Sequence, residues 1–226
     1  KLLDQCIKST SQAKKLIKEG KLSGWDDPRL GTIQSLKRRG FRKEAILKFH
    51  REVGLSRADI NVSMDTLAAF NREVIDKEAN RYFFIENPKK VKIKNAPKLK
   101  TKVELHPDFA KKGFRDFETD DEFYVEENFE KEKYYRFMHL FNFRDKEFHS
   151  VELNKDLNAK LIHWLPVSKD LVNVEVVMDD ASVIKGLGEK GLRKVKANEI
   201  IQLQRKYFCK CDKKERGKLV FYYLHR

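Results

Sequence analysis

Lys37, Arg38 and Arg39 stand in a row at the end of a short apolar-periodic stretch, where a cluster of cations would suit a phosphate. Thr32 has the side chain of an N-cap and Gly40 suits a left-handed stop, so the spacing predicts a helix over 33–39. The dipole at its C-terminal end favours the three cations whether or not a ligand is present, and a packed connector with a solvated basic end fits the same pattern. Just upstream, Gly24-Trp25-Asp26-Asp27-Pro28-Arg29-Leu30-Gly31 reads as a rigid hinge. Pro28 fixes one backbone dihedral and biases Asp27 toward extended geometry.

Other chemistry-bearing groups are sparser. Cys6, Cys209 and Cys211 are odd in number, and a lone Cys-x-Cys is weak evidence for zinc, so reduced structural thiols are expected. Nine carboxylates crowd the stretch from Asp116 to Glu132; they could hold a metal, but read more simply as a solvated loop turned away from any polyanion. His50 falls on the charged side of its helix and is expected to be exposed. A phosphate-cradling Gly-x-x-x-x-Gly-Lys loop, a His/Cys metal quartet and a Ser/His/Asp elbow are all missing from the sequence.

The elements that must position these groups follow from periodicity. The 226 residues suffice for one large or two modest domains, and a net charge of +14 favours a polyanionic partner. No apolar run approaches the roughly eighteen residues of a membrane helix and the start is not signal-like, so a soluble cytoplasmic chain without a membrane partner is expected. The start at Lys1 rather than Met reads as a trimmed or cleaved segment, or as a separate subunit.

Helical spacing dominates the first part of the chain. A short helix runs to Gly20 with Ser9 or Ser11 as cap; Lys43–Val53 carries Ala45, Ile46, Phe49 and Val53 on one stripe, and Ser63–Asp76 carries Leu67, Phe70, Val74 and Ile75. From Pro88 the pattern becomes short Val/Ile/Phe/Tyr runs separated by turns. Strands are expected over 91–93, 102–105, 122–125, 134–143, 160–167, 173–178, 182–187, 200–208 and 218–224. Seven lysines from Lys89 to Lys102 are expected to form a basic edge that discourages strand-to-strand aggregation.

The Gly-Trp-Asp-Asp-Pro-Arg block, Arg38-Arg39-Gly40 and Glu44-Ala45-Ile46 resemble the segment just after the catalytic domain of class I glutamyl- and glutaminyl-tRNA synthetases. The runs from Asp59 to Ala68, Asn71 to Asp76 and Ala79 to Phe84 are similar to the archaeal glutamyl type. So are Leu105-His106-Pro107-Asp108-Phe109, Ile162-His163-Trp164-Leu165-Pro166-Val167, Gly186-Leu187-Gly188-Glu189 and the ending Phe221-Tyr222-Tyr223-Leu224-His225-Arg226. The resemblance implies an α+β fold in three parts. Residues 1–20 end a class I Lys-Met-Ser-Lys-Ser-like loop region, 21–87 form a helical stem-contact region, and 88–226 form one or two antiparallel anticodon-binding β-barrels.

It also implies roles for particular residues. Ile7-Lys8-Ser9-Thr10-Ser11 keeps the loop's serines, Ser9 and Ser11, but replaces both its lysines, leaving Lys8, Lys14 or Lys15 to stand in beside ATP. Arg29, Lys37, Arg38 and Arg39 fall where the family meets the RNA stem and backbone. Gln202 and Arg205 match a pair that reaches anticodon bases, Gln with donor and acceptor and Arg with a fork or stacking plane. Three residues apart on a regular strand they would face opposite ways, so a bend is required. Arg136 matches the first of two alternate arginines, with Met138 in place of the second, a departure that would alter the reading of the first anticodon base. Lys160 falls near phosphate, His163 and Trp164 are expected to pack, and Tyr135 or Phe143 could stack on bases.

The implied function is the tRNA-binding part of a glutamate–tRNA ligase; the glutaminyl enzyme's C-terminal part and a non-catalytic RNA-binding or assembly module are the alternatives. The implied partners are tRNA(Glu), with tRNA(Gln) as a second candidate, and an N-terminal catalytic domain in cis or as a separate subunit. ATP and magnesium belong to the parent enzyme. The family's His-Ile-Gly-His-like motif and doubly wound half are missing from this sequence, so the chain alone is not expected to make glutamyl adenylate.

Overall fold

The computed structural model describes residues 2–3, 6–7, 9–54, 61–215 and 217–226; Lys8, Asp59 and Ile60 lie outside them. The fold is α+β. Two compact units divide the chain: Lys1–Asn80, Glu175–Ile184 and Val195–Arg226 form one, and Arg81–Val174 with Lys185–Lys194 form the other. The strand-rich part begins at Asn80–Tyr82 and Phe84–Glu86, ahead of the expected change of pattern at Pro88, and the chain enters the second unit at Arg81 and re-enters the first at Glu175.

The first unit holds the four helices found among the described residues: α1 (Thr10–Lys18), α2 (Ile33–Arg39), α3 (Lys43–Val53) and α4 (Met64–Ile75). Three start at side-chain caps: Ser9 accepts from Gln12 N at 3.3 Å, Thr32 from Ser35 N at 3.1 Å and Ser63 from Asp65 N at 3.1 Å. Gly40 ends α2 at φ +115, where a side chain would be strained. Leu36, Phe49, Leu67 and Ile75 point their stripe at Ile200, Phe208 and Leu224, which belong to an antiparallel sheet of Ile200–Leu203, Tyr207–Glu215 and Lys218–His225.

The second unit is strand-rich. Lys89–Lys92, Glu122–Val125 and Leu165–Pro166 make one antiparallel sheet. Tyr134–Phe137, Asn142–Arg144, Glu147–Ser150 and Lys160–Ile162 make a second, mixed sheet in which Lys160–Ile162 runs parallel to Tyr134–Phe137, and Leu99–Glu104 pairs with Phe114–Thr119 as a two-stranded ribbon. Their inner faces enclose Phe83, Phe117, Phe123, Phe137, Phe141 and Trp164, with rings 4.7–6.1 Å apart for the contacting pairs. The Trp164 indole, fully buried, donates to Met138 O at 2.8 Å, so its one polar atom is satisfied.

Strand Val183–Gly188 lies against Phe84–Glu86 so closely at Gly186 that an added Cβ would stand 2.2 Å from Ile85 O and 2.6 Å from the Phe84 ring. Gly186→Ala must therefore move backbone or an interior ring. A loss of about 1–3 kcal/mol in a urea titration is the expected result.

Two expectations about charge and one about strands change. The first half of the acidic stretch is no loop: Phe114–Thr119 and Glu122–Val125 are strands whose outward carboxylates face lysines, whereas Glu126, Glu127, Glu130 and Glu132 lie in a loop as expected. Lys90–Glu122, Lys92–Asp121, Lys98–Asp120 and Lys100–Glu118 close at 2.8–2.9 Å, so the predicted basic edge is matched pair by pair. Fully solvated pairs add little stability, but they remove much of the net field this edge would present to an RNA. The runs 134–143 and 200–208, each expected as one strand, are hairpins, because His139 (φ +58) and Arg205 (φ +60) turn the chain.

Candidate nucleic-acid interface

The hinge before α2 is built around one carboxylate. Asp27 is buried and accepts from Ser23 N at 2.9 Å, from Arg29 N at 3.1 Å, and from Arg29 Nε and Nη2 at 2.8 and 2.9 Å. Burial opposes its charge, but the Arg29 side-chain bond and the two backbone amides outweigh it and hold the carboxyl at about 2. Arg29 also donates to Lys21 O at 2.8 Å, so its fork braces the hinge and is committed within the protein.

The three cations of α2 divide. Arg39 is withdrawn from any stem contact: it is 3% exposed and donates from Nε to Tyr223 O at 3.2 Å and from Nη2 to Leu224 O at 2.9 Å. Burial pushes its pKa down. Its position in the last turn of α2 faces the sheet, where its guanidinium meets the two carbonyls. Arg38 is half-buried, bonded to Asp26 at 2.9 Å and lying 4.6 Å over the Tyr222 ring. Lys37 is exposed, and its carbonyl accepts from Lys210 Nζ at 3.0 Å.

Ser9 and Ser11 are both exposed and hydrogen-bonded to each other at 2.9 Å, with Ser9 also serving as the α1 cap. Ser9 lines a cleft of 750 Å³ with Cys6, Gln12, Arg29, Asp179 and Asp180. Among the described residues its one cation, Arg29, is bonded to Asp27, and two carboxylates share the space. Cys209 and Cys211 are buried, free thiols, and the described residues contain no group of three or more metal-ligating side chains.

Gln202 and Arg205 meet the required bend as a hairpin. Gln202 is half-buried on Ile200–Leu203, opposite Phe208, and the chain turns over 204–206 with Lys206 N bonded to Leu203 O at 2.9 Å. Arg205 occupies the exposed tip with left-handed backbone, a conformation that costs a non-glycine residue about 1–3 kcal/mol and recurs where a side chain must be presented.

In the second unit, Arg136 is a brace. Its Nη1 donates to Asn142 Oδ1, Val151 O and Glu152 O at 3.1–3.2 Å, and the buried Asn142 donates to Glu152 O at 2.7 Å and Ser150 Oγ at 2.9 Å. Together they pin the start of the exposed loop 151–159. Burial lowers the Arg136 pKa. Lys160 is exposed on the neighbouring parallel strand, where Leu161 lies opposite Arg136.

Three readings change. Met138 is 4% exposed, so a longer base-reading side chain at that point would have no surface to occupy. Tyr135 and Phe143 are fully buried and stacked on each other at 5.6 Å, leaving neither for a base. His163 packs edge-on to Phe83 at 5.3 Å, and His50 is exposed, both as expected. The aromatic that faces out is Tyr134, with the Arg144 guanidinium 5.4 Å over its ring and His149 5.1 Å from it. Strand alternation carried that signal: if Tyr135 faces in, Tyr134 and Arg136 face out together.

Residues 4–77 match the family described as the catalytic domain of class I (E and Q) tRNA synthetases, and residues 79–163 match the anticodon-binding domain of the same class. The glutamate–tRNA ligase of Methanocaldococcus jannaschii is 41% identical over 99% of the chain and 42% of its own length. That of Pyrococcus furiosus is 38% identical over 99% of the chain and 42% of its own length, and that of Methanococcus maripaludis strain C6 is 38% identical over 97% and 41%. The chain thus spans about two fifths of the length of the curated relatives it matches.

Proposed function

We propose, from the premise that this chain belongs to the class I glutamyl- and glutaminyl-tRNA synthetases and to their archaeal glutamate branch, that it is the tRNA-binding part of a glutamate–tRNA ligase. The partner RNA is tRNA(Glu), and the catalytic half lies in the remainder of the relatives' length. The observation that carries the reading is the hairpin 204–206, which presents Arg205 at an exposed tip beyond Gln202. A planar fork and an amide at the end of a rigid ribbon suit the edges and faces of unstacked bases.

Lys37 and Lys160 are exposed cations suited to phosphate, and Tyr134 offers an outward ring to a base. Arg29, Arg38 and Arg136 act on the RNA through the segments they brace. The parent family uses ATP and magnesium.

The test is competition between a tRNA(Glu) transcript and an anticodon-swapped version at fixed physiological salt. The native transcript should bind more tightly, and Arg205→Asn, which tolerates the left-handed turn, should remove about 1–3 kcal/mol of that preference. Lys37→Ala should weaken both transcripts alike and flatten the salt slope by about one. Equal binding of the two transcripts to the unmodified chain would sink the anticodon-reading claim.

A further inference from the structure

The second unit holds a cleft that the tRNA reading does not use. Its volume is 360 Å³, at the scale of about 300–1,000 Å³ typical of small-ligand sites. A side chamber of 140 Å³ shares Asp116, Phe117, Asp170, Glu189 and Lys190 with it.

Its chemistry has three parts. Leu105, Tyr82 and Phe114 give it an apolar wall, and Phe114 keeps 52% of its surface open, an aromatic face left out of the core. Beneath them lies the buried Arg115–Glu189 pair, closed at 2.7 Å, and Gly191 keeps the space beside it: a Cβ there would stand 2.8 Å from Glu189 Oε1. Lys190, Arg193 and Lys194, from one 3-10 turn, supply cations, while Asp116 and Asp170 supply acceptors, Asp170 lying 3.5 Å from Arg193.

With Asp170 and Arg193 paired to each other, a ligand that satisfies the rest has a flat ring for Phe114, an anion for Lys190 and Lys194, and a hydroxyl or amino donor for Asp116. A phosphate alone leaves the wall and Asp116 unmet, and an apolar ring alone leaves the two lysines unmet. We propose that this cleft binds a nucleoside monophosphate unit, either as a free nucleotide or as a nucleotide extruded from an RNA.

The experiment titrates AMP, adenosine and inorganic phosphate into the full chain by calorimetry at fixed salt. AMP should bind about tenfold more tightly than either of its parts. Phe114→Ser and the double change Lys190→Ala with Lys194→Ala should each weaken AMP about tenfold. These side chains are exposed, so unfolding midpoints should stay with the parent. AMP binding no tighter than phosphate, or binding that survives Phe114→Ser unchanged, would overturn the assignment.

The two sources separate in a second arm. If saturating AMP weakens binding of a tRNA transcript to the chain, the natural occupant is an extruded nucleotide. If the transcript binds as before, it is a free one. Neither result depends on the anticodon sequence, so the tRNA reading and this one stand or fall apart.

Discussion

Arg115→Met is expected to destabilise the protein by about 3–5 kcal/mol at neutral pH, the cost of leaving a buried carboxylate without its cation. Glu189 is 1% exposed and accepts from Arg115 Nη1 and from Phe83 N, each at 2.7 Å. Burial raises its pKa, and the Arg115 charge, the Phe83 amide and the Arg115 hydrogen bond oppose that rise. With the guanidinium gone, the Phe83 amide and the Lys190 charge are left to oppose burial, and the folded-state pKa must climb further.

The sign of the pH effect follows. An acid whose folded pKa exceeds its unfolded value stabilises the fold as pH falls through it, because the folded state then binds the proton more tightly. The deficit of Arg115→Met should therefore shrink on acidification. The Met side chain keeps part of the packing that Arg115 makes on Phe83 at 4.8 Å and Phe117 at 5.9 Å, so the pair and not the volume dominates. Replacing both partners by Met should cost less than replacing Arg115 alone. Urea midpoints at two pH values decide the matter, and a single and double variant equally unstable at both would remove the ion pair as the cause.

That pair was invisible in the sequence. Phe114-Arg115-Asp116-Phe117 gives no sign that Arg115 turns inward, since a period-2 pattern says which residues share a face and not which face is buried when both carry charge. Local chemistry was far more legible. Caps at Ser9 and Thr32, the stop at Gly40, and the helical stripes through Phe49 and Leu67 all depend on neighbours within a few residues, and the structure has them where spacing puts them.

What failed was non-local. The lysine run and the acidic run were read separately, whereas the antiparallel register Leu99↔Thr119 sets one against the other. Lys37, Arg38 and Arg39 are adjacent, but successive helix positions lie about 100° apart: Arg39 is buried on the backbone carbonyls of the sheet that returns from the chain's far end, Arg38 lies over its Tyr222 ring, and the Lys37 side chain stays exposed. The same limit holds for the residues that the resemblance assigns to anticodon bases. Gln202 and Arg205 were singled out with a bend as a condition, and a hairpin supplies it. Arg136 was singled out as a reader and is a brace, because the loop carbonyls that hold it come from residues 151 and 152.

Acid should weaken the first unit through His225. Its imidazole is 4% exposed, with Nδ1 donating to Arg226 O at 3.0 Å and Nε2 accepting from Asn71 Nδ2 at 3.1 Å, a tautomer fixed because Asn71 Oδ1 already accepts from Arg42 N at 2.8 Å. Burial is the main reason its pKa falls to about 4, and the Arg72 and Arg39 charges add to it. The unfolded chain takes up a proton below 6.5 and the folded one only near 4, so this contribution is whole above 6.5 and is lost as pH falls through that window. The full loss is about 3 kcal/mol, at 1.36 per unit. Asp27 titrates lower, near 2, while in the second unit burial lowers the His139 pKa in the same sense, so the His225 share is the part of the slope that changes in its variants. His225→Gln should flatten the fall in urea midpoint between those pH values, and Asn71→Asp should also flatten it by favouring the imidazolium. A variant series that keeps the parent's slope would place the acid sensitivity elsewhere.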